Sequence, residues 1–140
     1  MNGKVNCIML IDDNENDNFF HERVIKKNDA ANRIIIKESG ERALDYLKNQ
    51  KQYGGPNPDI IFLDINMPRM NGWEFLDEYN KLDSELKGKM VVVMLTTSAR
   101  EEDKNQAKAL NILTDFKSKP LTKEMLEEVL VKYHEKQPSK

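Results

Sequence analysis

The stretch that decides the fold is residues 60–68, IIFLDINMP, in which four apolar residues run directly into an aspartate. A short, wholly apolar run bounded by turn residues is typical of a strand that is buried on both faces of a parallel sheet. Pro68 cannot continue such a strand, because its backbone nitrogen carries no hydrogen to donate. We therefore predict a central strand over Ile60–Leu63, with Asp64 at its carboxyl end.

Other short apolar runs alternate with helical patterns along the rest of the chain. Strands separated by helices form a parallel sheet with right-handed crossovers, covered on both faces. We predict an α/β fold of the doubly wound (βα)5 type, in which a five-stranded parallel sheet is flanked by helices as a three-layer sandwich. The other four strands are predicted over residues 5–11, 33–37, 90–95 and 112–116.

The helical segments carry their own signals. Phe20 and Val24 lie four residues apart in a stretch with acidic residues early and basic residues late, which predicts the first helix. His21 stands among charged residues and is expected at the surface. Thr122 precedes the clearest amphipathic pattern and is the predicted N-cap of the last helix.

The composition limits the class of protein. A chain of 140 residues with 39% hydrophobic residues suits one globular domain, expected in the cytoplasm. The net charge is −2 and the charges are interspersed, which argues against a nucleic-acid partner. The longest apolar run, residues 90–95, is too short to cross a bilayer. Cys7 is the single cysteine, which excludes an internal disulfide, and we expect it to be buried on the first strand.

Polar residues follow the predicted strands at the points where they end. Asp12 and Asp13 follow the first strand, Asp64 the third, Thr96 the fourth and Lys119 the fifth. Ligands of open parallel sheets bind outside the carboxyl ends of the strands, so these side chains are expected to converge. Three neighbouring carboxylates repel one another unless a cation neutralises them, and Mg²⁺ suits such a site. An aspartate can also attack a phosphoryl group, whose charge a metal and a lysine then neutralise.

This set of residues resembles the response regulator receiver family, in its stand-alone, chemotaxis-type form. The resemblance covers roughly residues 4–136 and implies the flavodoxin-like strand order 2-1-3-4-5. It leaves residues 137–140 as a tail, with no output domain expected. The residues that carry it are Asp12 and Asp13, the run Asp64 to Pro68, Gly72, Thr96, and Lys119 with Pro120.

The resemblance implies a role for each matched residue. Asp64 is the phosphoacceptor. Mg²⁺ or Mn²⁺ is bound directly by Asp13, Asp64 and the main-chain carbonyl of Asn66, and through water by Asp12. The remaining roles are phosphoryl contacts from Thr96 and Lys119, a switch pair of Thr96 and Phe116, a cis peptide bond before Pro120, and tuning of the phosphorylated lifetime by Asn66, Thr97 and Ser98.

The implied function is a phosphorylation-dependent switch of a two-component phosphorelay, not an enzyme beyond its own phosphoryl uptake and loss. Its donor is a sensor or hybrid histidine kinase, and its output partner is an effector or a histidine phosphotransfer protein. The face around residues 100–133 then changes its protein contacts, and it forms the interface if activation produces a homodimer.

Two alternatives remain open at this point. One is a scaffold-only pseudo-receiver. The other is a phosphatase of the haloacid dehalogenase type, although that class requires an aspartate where this chain has Asn66.

Overall fold

Strands and helices alternate along the chain in the computed structural model, which describes residues 3–49, 54–82, 90–97, 100–110 and 113–137. The described residues form β1 Val5–Ile11, α1 Glu15–Lys27, β2 Ala31–Lys37, α2 Gly40–Lys48, β3 Ile60–Leu63, α3 Gly72–Asn80, β4 Val91–Thr96, α4 Glu101–Lys108, β5 Leu113–Ser118 and α5 Lys123–Lys136.

The five strands form one parallel sheet in the order β2-β1-β3-β4-β5. The predicted fold and strand order are confirmed. Because the chain first builds outward from β1 to β2 and then crosses to β3 on the other side, the sheet has its topological switch point between β1 and β3. Connections leave these two strands toward opposite faces, which opens a crevice at their carboxyl ends.

The core lies in two layers, one on each side of the sheet. Alternate residues of the central strands face opposite layers, so Met9 and Ile61 pack with α2 and α3 while Ile8 and Ile60 pack with α1 and α5. Cys7 is fully buried, as predicted. Among the described residues, no helix is both long enough and apolar enough to span a membrane.

Three strands have bounds that differ from the prediction. β2 begins at Ala31 instead of residue 33, β4 spans Val91–Thr96 instead of residues 90–95, and β5 extends to Ser118 instead of residue 116. The reason is backbone pairing: the ladder with β4 continues through Lys117 and Ser118, whose polar side chains carry no apolar signal. Of the positions named in the sequence predictions, residues 98, 112 and 138–140 lie outside the described residues.

The expected surface position of His21 on α1 was wrong. Phe20 is 47% exposed, whereas His21 is 3% exposed, and the inward face carries Asn18, His21 and Ile25. The first turns of this helix pack against the carboxyl end of β1, where polar groups offer partners. The side-chain amide of Asn18 donates to the Asp12 carbonyl over 2.8 Å, for example. Val24 packs against the core whereas Phe20 is exposed, so the four-residue spacing of these two side chains does not identify the buried side of this helix.

Candidate functional site

Three aspartates meet at the carboxyl edge of the sheet. The N–H of Asp12 donates to the Lys37 carbonyl over 3.1 Å, and the N–H of Asp64 donates to the Ile11 carbonyl over 3.0 Å. These bonds carry the sheet ladder past the ends of β1 and β3, and so fix both aspartates at its edge. One carboxylate oxygen from each of Asp12, Asp13 and Asp64 lies within 4.8 Å of the others. We call these three residues the acidic cluster.

The donor set of the acidic cluster fits a hard divalent cation. It offers carboxylate oxygens only, which Mg²⁺, Mn²⁺ and Ca²⁺ prefer, whereas structural zinc sites use thiolate and imidazole ligands. Asp12 and Asp64 are buried and Asp13 is exposed, so the cluster is open to solvent on the side of Asp13. Asn66 is exposed in the loop after β3, and a metal bond from its carbonyl stays a prediction.

Lys119 supplies positive charge to the acidic cluster. Its Nζ lies 2.6 Å from Asp12 Oδ2, 2.8 Å from Asp17 Oδ2 and 3.5 Å from Asp64 Oδ1. The Lys119 N–H also donates to the Thr96 carbonyl over 2.7 Å, and the peptide bond before Pro120 is cis, as predicted. Burial opposes the charge on this amine, but its hydrogen bonds to Asp12 and Asp17 outweigh burial and hold its pKa above the ordinary value.

Asp64 is poorly solvated where it stands. Burial raises its pKa from 3.8 to about 6, the negative charge of Asp12 adds to the rise, and Lys119 offsets part of it. The carboxylate form is therefore costly in the metal-free protein. A cation in the acidic cluster relieves that cost, because it stabilises the ionised form of Asp64.

The predicted switch residues lie on the two neighbouring strands. Thr96 is the last residue of β4 and is fully buried, and its hydroxyl has no hydrogen-bond partner in the part of the chain that the structure describes. Phe116 lies on β5, half-buried against the edge of the core. Thr97 follows β4 and is exposed, and Ser98 lies outside the described residues. A buried hydroxyl without a partner is a ready donor for a group that enters the site.

Gly72 holds α3 close to the start of the loop that follows β3. Its N–H donates to the Ile65 carbonyl over 2.8 Å. A Cβ at this position would lie 2.6 Å from the Asp64 carbonyl oxygen and 2.9 Å from Ile65 Cα, both of them backbone atoms. Only glycine permits this approach, so Gly72 allows the start of α3 to pack directly against the backbone of Asp64 and Ile65.

Sequence reasoning missed three polar residues of α1 that face the acidic cluster. Asp17 binds Lys119, Asn18 binds the Asp12 carbonyl, and His21 lines a small cavity together with Asp12, Asn18 and Asp64. Burial, and then the charge of Lys119, lower the pKa of His21. His21 lies four residues after Asp17 and three after Asn18. This spacing is the signal that could have identified the three residues, because it places their polar side chains on one face of the helix.

Comparison with known proteins agrees with this geometry. The model of the response regulator receiver domain matches residues 8–131. Response regulator Rcp1 of Synechocystis sp. is 36% identical over 97 residues, a stretch that covers 69% of this chain and 65% of Rcp1.

Solved structures extend the agreement to three dimensions. A two-component response regulator from Cytophaga hutchinsonii superposes with a TM-score of 0.85 at 32% sequence identity. The superposition covers 94% of this chain and 98% of the Cytophaga chain. The Mn²⁺-bound form of Rcp1 gives a TM-score of 0.71 at 29% identity, covering 90% of both chains. The chain therefore belongs to the response regulator receiver family, the phosphorylation-dependent switches of two-component signalling, which bind a divalent cation at their acidic pocket.

Proposed function

We propose that this chain receives a phosphoryl group on Asp64 from a histidine kinase, with Mg²⁺ in the acidic cluster. The observation that carries the proposal is the close approach of three carboxylates and one lysine at the switch point of the sheet, where Asp64 is buried. This arrangement combines a nucleophile, a cation site and a fixed positive charge, which are the parts that phosphoryl transfer needs.

In the proposed reaction, a carboxylate oxygen of Asp64 attacks phosphorus. The bond from phosphorus to Asp64 forms as the bond to the donor breaks, and the donor leaves with the electron pair of that bond. With a pKa of about 6, Asp64 is mostly ionised at neutral pH and can act as the nucleophile.

Mg²⁺ would be held directly by Asp13, Asp64 and the main-chain carbonyl of Asn66, and through water by Asp12. It would neutralise charge on the oxygens of the phosphoryl group during transfer. Lys119 adds a second positive charge beside Asp64, at 3.5 Å.

The proposed output runs from Thr96 to the face around residues 100–133. Phosphorylation adds about −1.5 to −2 charge and several strong acceptors beside a buried hydroxyl that lacks a partner. Thr96 would donate to the phosphoryl group, and Phe116 would move into the space that Thr96 leaves. A groove between α4 and β5, lined by Leu110, Leu113 and Phe116, lies on this face. It supports the proposal that this surface changes its protein contacts.

The two alternatives have less support. A scaffold-only pseudo-receiver needs none of the acidic cluster, yet the three carboxylates and Lys119 are present and converge. A phosphatase of the haloacid dehalogenase type needs a second aspartate in place of Asn66, and the comparisons match receivers instead.

The test is uptake of a phosphoryl group from acetyl phosphate and Mg²⁺, followed by intact mass. Phosphorus exchanges its bond to acetate for a bond to Asp64, and acetate leaves. The wild-type chain should gain one phosphoryl group, and a chelator should prevent the gain. Asp64→Asn should gain none. Asp77→Asn is the matched control, because Asp77 is an exposed carboxylate on α3, and this variant should behave as the wild type.

A phosphorylated histidine donor completes the test. If neither acetyl phosphate nor this donor modifies the folded wild-type chain, the proposed function is wrong and the scaffold alternative takes its place. If Asp64→Asn is modified as fast as the wild type, the assignment of the phosphoacceptor is wrong.

A further inference from the structure

Asp17 makes one of the two shortest contacts of Lys119, although it lies outside the acidic cluster. Its carboxylate is 2.8 Å from Lys119 Nζ, whereas the carboxylate of Asp64 is 3.5 Å away. The two residues are 102 positions apart in sequence, so the contact joins the first helix to the loop after the last strand. Charge-assisted contacts of this length are among the stronger hydrogen bonds in proteins.

The ammonium of Lys119 has three hydrogens to donate. Hydrogen bonds to Asp12 and Asp17 account for two of them, and the carboxylate of Asp64 lies beside the third. Asp12 and Asp17 therefore hold the amine of Lys119 in a position next to the carboxylate of Asp64. Asp12 also belongs to the acidic cluster, where it would help to bind a cation, whereas Asp17 does not belong to it.

The position of Asp17 is set by a rigid turn. The side chain of Asn14 caps α1 by accepting from the Asp17 N–H over 3.0 Å. One residue later, Asn18 binds the Asp12 carbonyl. The first turn of α1 is therefore attached to the edge of the sheet. The exposed fraction of the Asp17 side chain is 34% against 8% for Lys119, which puts Asp17 at the outer side of the ion pair.

We propose that Asp17 is a positioning residue for phosphoryl uptake, which keeps Lys119 Nζ beside Asp64 while Asp12 serves the cation. This role rests on the proposed function. Without Asp17, the amine retains Asp12 alone, a partner that it must share with the cation. Its four-carbon stem is flexible, so the charge would spend less time at the reacting group. Charge that is held in place stabilises a transition state more than charge that must be recruited.

The first measurement is the rate of phosphoryl uptake from acetyl phosphate at saturating Mg²⁺. Asp17→Asn should slow uptake about tenfold, which corresponds to about 1.4 kcal/mol in the barrier. Glu15→Gln is the matched control, because Glu15 is the other acidic residue in the first turn of α1. It loses the same helix-dipole charge without touching Lys119, and its rate should stay within about twofold of the wild type.

A double-mutant cycle tests whether Asp17 acts through Lys119. In a Lys119→Gln background, Asp17→Asn should cause no further loss of rate. An equal, additive loss in both backgrounds would overturn the proposal, because Asp17 would then act by another route.

A second readout uses the metal-free chain and needs no phosphorylation. Acetylation of Lys119 by an N-hydroxysuccinimide ester, followed by peptide mass, reports how firmly the amine is held. Asp17→Asn should be acetylated there several-fold faster than the wild type and Glu15→Gln. Equal rates in all three chains overturn the role of Asp17, as does wild-type phosphoryl uptake in Asp17→Asn. Absence of uptake in the wild-type chain is a different result, which overturns the proposed function and this role with it.

Discussion

Asp64→Asn should stabilise the metal-free protein, although it removes the residue that the proposed function needs most. Burial and the charge of Asp12 make the ionised form of Asp64 unfavourable in the folded chain. Asparagine has nearly the same shape as the neutral acid and carries no charge. The substitution therefore removes a cost that the folded protein carries at neutral pH and that the unfolded chain does not.

The magnitude follows from the difference in pKa between the two states. The folded pKa is about 6 and the ordinary value is 3.8, so the folded chain binds this proton more tightly than the unfolded chain does. Wild-type stability therefore falls as pH rises from about 4 to about 6, and stays lowered above that window. The loss amounts to about 3 kcal/mol above pH 7 and roughly half of that at pH 5. The gain in unfolding free energy of Asp64→Asn over the wild type should therefore be about 3 kcal/mol above pH 7 and roughly half of that at pH 5.

The assay is urea unfolding followed by circular dichroism, in a chelator, at pH 5 and pH 8. Asp77→Asn provides the control for loss of a carboxylate elsewhere on the surface, and its stability relative to the wild type should change little between the two pH values. Added Mg²⁺ should stabilise the wild type and Asp77→Asn, because ligands stabilise the state that binds them, and should have much less effect on Asp64→Asn.

Two results would refute this reasoning. Equal stability of Asp64→Asn and the wild type at pH 8 would mean that Lys119 compensates fully for the buried charge. An advantage of the same size at pH 5 and pH 8 would mean that the gain comes from packing and not from ionisation.

Substitutions at three further positions test the local structure of the site by urea unfolding. Gly72→Ala should cost about 2 kcal/mol, because its Cβ meets backbone atoms of Asp64 and Ile65; an unchanged midpoint would contradict that close approach. Thr96→Val should stabilise the unphosphorylated chain by about 1 kcal/mol, since it removes a buried hydroxyl without a partner among the described residues; a loss of stability would show that the hydroxyl is bonded. Asn14→Ala should cost about 1 kcal/mol through loss of the α1 cap, and Asn14→Ser should recover most of it.

The sequence alone determined the sheet and the three residues of the acidic cluster. Runs such as Ile60–Leu63 must be buried on both faces, because every side chain in them is apolar. Parallel strands end at a common edge, and this rule alone predicts that Asp12, Asp64 and Lys119 lie close together, as they do. These inferences succeed because they depend on local patterns and on the direction of the chain.

The tertiary structure alone decided which polar residues join the site and how they ionise. Asp17 faces Lys119, which supplies a charged partner at the edge of the sheet, and His21 is buried beside Asp12 and Asp64. Both depart from the rule that polar helical faces point to water. The end of β5 was set by pairing with β4, and not by its own side chains. The raised pKa of Asp64 depends on burial and on its distance from Asp12, 52 positions away in sequence. Burial and Coulomb energy depend on positions in space, and residues this far apart acquire those positions only when the chain folds.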